Sequence, residues 1–375
     1  MKVCMSHNFG ITPRFGGGIA SVILNVVNET KDKIDYTLVT SYNKKDLDDA
    51  RTIYGPEVKI VNIETKNDYA TDFLSYLLRI PIANFDIVHF HDLPLGRTLP
   101  LAFRSYIKKL HPIFSYHYDQ SYQTHYPFSY GIGGGYYHFF LKKSYRFWKK
   151  IIVNSKATLN DFSHNWDYLS KVRLIPNGVN IAEVQKARPM TIVGDPALLH
   201  VGHLEVAKGV DILLHAFSEL VESHSLPDPH LHMVGDGALI SYCREFVNKK
   251  GLNCKVHFWG AQSHDAVFRF MKSCDIFVFP SRYEGFGVVV LEAMAAEKPI
   301  ISTSVGGVPD ILTHRRNALL IKPRPDELMN AIVSLGQDLD LASQFSKNNK
   351  NDVKLFSWKK ISEEYIALYR EVLTD

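Results

Sequence analysis

Two carboxylates, Glu284 and Glu292, stand eight positions apart in FPSRYEGFGVVVLEAMAAEKPIIS, residues 279 to 302, with Gly285, Phe286 and Gly287 between them. The apolar run IFVFP ends at Pro280, and FGVVVLEAMAAE is apolar on nearly every face, so a buried helix is expected to start near Gly287. Free amides and the dipole at such a helix start favour negative charge. Glu284 precedes the turn, and Glu292 lies more than a turn inside the helix. Eight helical positions rise about 12 Å, a length comparable with a sugar nucleotide, so one ligand could touch both carboxylates. A carboxylate within a buried helix needs hydrogen-bond donors. A pair of ribose hydroxyls would serve Glu292, and a salt bridge with a basic neighbour is the alternative.

Two further stretches carry candidate chemistry. In GHLEVAKGVD, Lys208 precedes a predicted helix and could meet an anion at its N-terminus; a solvated surface charge is the alternative. In FGGGIAS, Gly16, Gly17 and Gly18 read as a loop ahead of a helix through SVILNVVNET, where amides without side chains could approach a phosphate or a sugar. A plain turn would use glycine in the same way.

The elements that position these residues follow from periodicity. Short runs rich in Val and Ile alternate with longer segments of helical period, the pattern of parallel strands joined by crossover helices. MKVCMS, YTLVTS, VKIVNI, DIVHFH, PIFSYH and KIIVNS form one series of strand candidates; ALLHVGH, HLHMVGDG, KVHFWG, CDIFVFP and KPIISTS form a second. The expected fold is therefore α/β, two doubly wound Rossmann-like domains, over residues 1–185 and 186–356, with a polar, proline-containing linker around residues 180 to 196. A last helix, Ser357 to Leu373, belongs to no strand pair and is expected to pack back across the boundary on the first domain, giving a C-terminal segment of 357–375. In open parallel sheets ligands bind beyond the carboxyl ends of strands, and all three stretches occupy such loops.

Composition excludes several classes. With 375 residues and 46% hydrophobic content the chain can build two cores. A net charge of +4, spread through the sequence, gives no basis for nucleic-acid binding. Cys4, Cys243, Cys254 and Cys274 form no CxxC pair, and MKVCMSHNFG lacks the apolar core of a signal peptide, which favours the cytoplasm. No apolar run approaches the roughly 18 residues that cross a bilayer. GGGIAS, GDGALI and GIGGGY all lack the last glycine of a dinucleotide fingerprint, and no phosphate-loop motif occurs. Asp46/Asp48 and Asp338/Asp340 fall in polar segments, where solvated charge is the expected role. His89, His91 and Asp92 suggest a metal site only weakly, because His-x-His on a strand with no distant third ligand more often reflects packing.

PSRYEGFGVVVLEAMA, together with GHLEVAKGVDILLHAF, LHMVGDG, FWGAQSHDAVFRFMKSCDIFVFPS and IISTSVGGVPDIL, resembles the retaining GT-B glycosyltransferases of the "group 1" family. The likeness runs through the second half and is looser in the first, where FGGGIASVI, DIVHFHD, SYHYD, IIVNSKAT and RLIPNGVN carry it. It implies two domains facing each other across a cleft and transfer, without a metal or other cofactor, from a nucleotide diphosphate sugar such as a UDP- or GDP-sugar. The donor would be held by the second domain and the acceptor largely by the first. Carried over by position, Glu284 would contact the donor sugar, Glu292 the ribose hydroxyls and Lys208 the diphosphate. Gly285 and the amides around Phe286, Gly287 and Val288 would add hydrogen bonds. Gly17 and Gly18 would sit over the donor, and His117 in SYHYD would stand near the reactive end of the sugar. Where the family usually has an arginine shortly before the lysine, this chain has His203, which lacks the guanidinium fork; Arg282 is a candidate substitute.

The resemblance also implies reaction on one face of the sugar, the departing phosphate helping to deprotonate the acceptor. Glu284 is then expected to position and stabilise charge rather than to attack. Residues 126–150, YPFSYGIGGGYYHFFLKKSYRFWKK, interleave aromatics with Lys142, Lys143, Arg146, Lys149 and Lys150. That composition suits an anionic membrane surface and a lipid-linked acceptor; a basic face over a packed aromatic core would suit a soluble sugar or glycoside. The rival readings are a sugar-nucleotide-binding subunit without catalysis, a sugar epimerase and a phosphorylase.

Overall fold

Alternate residues along the strands of the second half face two different cores, as a parallel sheet covered on both sides requires. Leu198, Ile276, Val278 and Ile301 enter one cluster, whereas Leu199, Phe277, Phe279 and Ile300 enter another. The structure is a computed structural model that describes residues 1–6, 13–40, 44–62, 84–91, 110–116, 147–165 and 169–374. His117, Asp92 and residues 126–146 of the basic aromatic stretch lie outside the described residues.

The described chain divides into two compact units, residues 1–177 with 358–375, and residues 178–357. In the first, strands β1 (Lys2–Ser6), β2 (Asp35–Thr40), β3 (Lys59–Asn62), β4 (Ile87–Phe90), β5 (His111–Tyr116), β6 (Lys150–Val153) and β7 (Val172–Leu174) form a sheet in the order 3-2-1-4-5-6-7. Every pairing is parallel. Its described helices are α1 (Pro13–Thr30), α2 (Lys44–Tyr54) and α3 (Lys156–Asn165), to which the final helix of the chain is added.

The second unit holds α4 (Ile181–Lys186), β8 (Ala197–Val201), α5 (Val210–Ser223), β9 (His230–Val234), α6 (Ile240–Lys249), β10 (Val256–Gly260) and α7 (His264–Ser273). It continues with β11 (Ile276–Phe279), α8 (Val288–Ala295), β12 (Ile300–Thr303), α9 (Val308–Ile311), β13 (Leu319–Ile321), α10 (Pro325–Gln337) and α11 (Leu339–Asp352). The strand order is 10-9-8-11-12-13, again all parallel. Order reverses between β8 and β11, so the loops leaving these two strands open around a crevice at the switch point. Lys208 lies in one loop and Glu284 in the other.

Three local expectations are corrected. Gly16, Gly17 and Gly18 lie within α1, not in a loop ahead of it. That helix begins at Pro13, whose fixed φ suits a first helical position. The stripe Ala20, Ile23, Val27 and Thr30, all buried, sets its register. Residues 180 to 196 are no free linker either: α4 buries Val184 completely, Met190 exchanges hydrogen bonds with the Ser273 hydroxyl at 2.7 and 2.6 Å, and Asp195 pairs through its backbone with Asp228. The short strands β7 and β13 went unrecognised because three residues are too few to display alternation.

The final helix, α12 (Trp358–Thr374), packs within the first unit. Trp358, Ile361, Tyr365, Leu368, Tyr369 and Val372 recur at helical spacing and share a core with Val22, Ile23, Val26, Val27 and Tyr36. The Tyr369 hydroxyl meets His89 Nδ1 at 2.7 Å, and His89 Nε2 meets the Ser115 hydroxyl at 2.7 Å, all fully or almost fully buried. His89 and His91, with ring centroids 4.1 Å apart, therefore serve the packing of this unit. No cluster of three or more His, Cys, Asp or Glu able to hold a metal occurs among the described residues. Asp48 pairs with Arg51, and Asp338 caps α11 by accepting from the Leu341 amide at 2.9 Å; both are structural roles.

Candidate functional site

The loop after β8 makes a 3-10 turn over Val206–Lys208 and then enters α5 through Gly209. Gly209 has φ +66°, and a Cβ there would lie 2.0 Å from the Pro280 carbonyl oxygen. Conformation and space both demand glycine. That close approach locks the start of α5 to the end of β11. The Arg282 amide adds a bond of 2.8 Å to the Ala207 carbonyl. On the other side, a Cβ on Gly306, at φ +54°, would fall 1.5 Å from the Glu284 carbonyl oxygen, so the turn after β12 presses directly on the Glu284 backbone.

Between these supports Lys208 Nζ donates to Glu284 Oε2 at 2.7 Å. The side chains are 24% and 14% exposed, so the pair is reachable from solvent yet partly desolvated. The ammonium also stands 5.9 Å from the centroid of the Phe279 ring. A cation and a carboxylate drawn from loops 76 residues apart thus meet at the switch point.

Gly287, at φ +93°, starts α8, and Phe286 anchors the turn by burying its ring. The amides of Phe286, Gly287 and Val288 find no acceptor among the described residues, whereas the Val290 amide is taken by the Gly287 carbonyl. Five residues into the helix, about 7.5 Å along its axis, sits Glu292. Its carboxyl is half-buried and has no donor among the described residues. Burial pushes its pKa up to about 8. The salt-bridge alternative for Glu292 is thereby removed.

Arg282, the candidate substitute for the missing arginine, is held in an ion pair with Asp211. Its Nη1 and Nη2 donate to the two Asp211 oxygens at 2.6 and 2.7 Å, and Nη1 also reaches the Val206 carbonyl at 2.9 Å. Burial acts to raise the Asp211 pKa, but the Arg282 hydrogen bonds and charge, helped by amides at the start of α5, hold it below the usual carboxylate range. His203 is exposed, and its ring makes no polar contact among the described residues. Gly18 is exposed on α1 with nothing within 4 Å of a built Cβ. Gly17 and Gly18 belong to the first unit; Lys208, His203, Gly285, Glu284, Phe286, Gly287, Val288 and Glu292 belong to the second.

Two residues escaped sequence reasoning. Asp211 carries no local mark beyond an acidic residue in a first helical turn, and its partner lies 71 positions away. His200 occupies the apolar strand β8. It is fully buried, its Nδ1 donates to the Val278 carbonyl at 3.2 Å, and its Nε2 has no partner. Burial, with Lys208 nearby, depresses its pKa to about 4, so the ring is neutral at physiological pH.

Two family models divide this chain: "Glycosyl transferases group 1" matches residues 183–352 and "Glycosyltransferase Family 4" matches residues 16–183. An uncharacterized glycosyltransferase of Methanocaldococcus jannaschii is 35% identical over 225 residues, 60% of either chain. A mannosylfructose-phosphate synthase of Agrobacterium fabrum is 27% identical over 243 residues, 60% of this chain and 53% of its own. The chain thus spans 60% or less of the length of these curated relatives. Among solved structures, Anabaena HepE in complex with UDP-glucose superposes with a TM-score of 0.78 over 99% of this chain and 100% of that one, at 19% identity. At that identity the likeness establishes the fold, the two-domain GT-B architecture.

Proposed function

Because the chain belongs to the group 1 glycosyltransferases, we propose that it transfers a sugar, with retention and without a metal, from a nucleotide diphosphate sugar to a sugar, glycoside or lipid-linked acceptor. The observation that carries this reading is the sequence of groups along one crevice. A cation paired to a carboxylate stands at the switch point, free amides follow, and an unpaired desolvated carboxylate lies one turn further along α8.

In this reading the donor diphosphate draws Lys208 from Glu284 and takes the amides of Phe286, Gly287 and Val288, while the ribose hydroxyls donate to Glu292. Glu284, released, faces the donor sugar with Gly285. As the bond from the anomeric carbon to the phosphate oxygen breaks, its electron pair goes to the diphosphate. Lys208 and the α8 amides stabilise that charge because they are fixed before it develops. The acceptor oxygen bonds to the same carbon from the same face, and its proton passes to the departing phosphate oxygen. The family resemblance assigns His117, Gly17 and Gly18 to the donor sugar as well. Glu284 polarises and positions; it forms no covalent bond.

The mix of aromatic and basic side chains in residues 126–150 supports a cytoplasmic protein resting on an anionic membrane surface with a lipid-linked acceptor; a soluble sugar or glycoside is the alternative acceptor. No helix among the described residues is long and apolar enough to cross a membrane. The test is direct. Purified protein is screened by thermal shift against UDP-glucose, GDP-mannose and the free diphosphates, since a ligand that binds only the folded state raises apparent stability. Release of nucleotide from the stabilising donor is then followed. A stabilising donor that is slowly hydrolysed or transferred supports the reading. Tight binding with no turnover on any acceptor class would make the chain a sugar-nucleotide binder instead. Sedimentation with anionic and neutral vesicles tests the acceptor, and equal binding to both removes the membrane surface.

A further inference from the structure

Beside Lys208 and Glu284 the same two loops carry a second ion pair. Asp211 stands in the first turn of α5, three residues past Lys208, and Arg282 stands two residues before Glu284. The Arg282 guanidinium meets the Asp211 carboxylate as a two-pronged fork, at 2.6 and 2.7 Å, and its Nη1 also holds the Val206 carbonyl at 2.9 Å. The amides of Arg282 and Tyr283 hold the Ala207 carbonyl at 2.8 and 3.3 Å. The residues on both sides of Lys208 are thus tied to the strand end that leads into Glu284.

The pair's side chains are 28% and 31% exposed, so solvent limits its Coulomb energy. Its geometry is the stronger attribute, because a planar fork fixes a distance and an angle that a single ammonium contact does not. Lys208 needs such support: its long stem is flexible, and the histidine at position 203 leaves the loop no guanidinium of its own. Misplacement of a charge by about 1 Å can reduce turnover about 100-fold.

We propose that Arg282 and Asp211 form a positioning pair that holds Lys208 and Glu284 in register, so that the lysine reaches the donor diphosphate when the anion displaces the carboxylate. The inference rests on the donor reading above. It acts on the diphosphate and sugar end of the ligand alone, because Glu292 sits behind Gly287 on α8 and is tied to neither residue.

The test separates the two ends of the ligand. Wild type, R282A, R282K and D211N are titrated with UDP-glucose and GDP-mannose by calorimetry, and with uridine and guanosine by ligand-observed NMR. The expected result is a loss of tenfold or more in affinity for the bound sugar nucleotide in R282A and D211N, and a nucleoside affinity changed less than twofold. R282K keeps the charge without the fork and is expected to fall close to R282A. If R282A does not fold, R282K and D211N read the same quantity. Equal losses for nucleoside and sugar nucleotide, R282K behaving as wild type, or no loss in any variant would each overturn the positioning role. A wild-type protein that binds neither sugar nucleotide would refute the donor reading first, a result distinguishable from failure of the pair.

Discussion

Glu292→Gln is the substitution that tests the donor crevice most sharply. The carboxyl has an ordinary value of 4.5 and is pushed up to about 8 by burial, with no donor to offset it. A folded pKa raised above the unfolded one means that the folded state binds more protons between those values. Stability is therefore full below about pH 4.5 and declines as pH rises toward 8. At pH 7 a displacement of about 2.5 pH units corresponds to about 3 kcal/mol. Solvent access to a half-buried carboxyl reduces this to about 1–2 kcal/mol. For a unit of this size that is a shift of about 3–6 °C in midpoint. Glutamine keeps the shape and removes the titration. The expected outcome is that E292Q melts higher than wild type at pH 8 and equally at pH 5, by thermal denaturation of the unliganded protein across that range. Binding must show the mirror image: a ribose diol donates to the ionised form, so association of the donor releases a proton below pH 8, and E292Q binds more weakly with no proton release. Parallel stability profiles in the two proteins, or proton-neutral binding in wild type by calorimetry in two buffers, would refute the reasoning.

Three further outcomes are expected. Glu284→Gln should lower turnover about 100-fold while changing nucleotide affinity less than threefold, because in the proposed mechanism the side chain faces charge that develops during transfer; steady-state rates beside calorimetry check the split. Gly209→Ala should destabilise the second unit by about 2–4 kcal/mol, since alanine resists the left-handed backbone and its methyl would strike the Pro280 carbonyl; a denaturant midpoint measures it. Tyr369→Phe should destabilise the first unit by about 1 kcal/mol by removing the buried hydrogen bond between its hydroxyl and His89 Nδ1, seen as faster proteolysis around α12.

The second unit was legible because its loops announce themselves. Glycine, proline and lone charges interrupt apolar runs at Lys208 and at Glu284 to Gly287, and strands buried on both faces read as continuous runs of Val, Ile and Phe. Glu292 was legible for the opposite reason, a charge where the pattern allows none. The first unit misled at Gly16 to Gly18, where three glycines suggest a turn and only the buried stripe along α1 reveals a helix. Nothing local marks the Asp211 fork to Arg282, the approach of Gly209 to Pro280 or the burial of His200. Each depends on β8 lying beside β11, a pairing of segments more than 70 residues apart that periodicity cannot express. The likeness to a family supplied roles for positions, not the contacts that hold them.

The placement of α12 has a consequence for how the chain comes into being. Residues 178–357 are continuous, so the second unit can close as soon as it has been synthesised. The first must wait, since the core that holds Val22, Ile23, Val26, Val27 and Tyr36 also takes in residues of α12, made some 180 positions after the rest of that unit. On the ribosome the earlier half therefore matures later than the half that follows it, keeping a sticky surface open during translation. A stall or frameshift after residue 357 would leave the second unit intact and the first unfinished, a lesion at one end of the message expressed at the opposite end of the polypeptide.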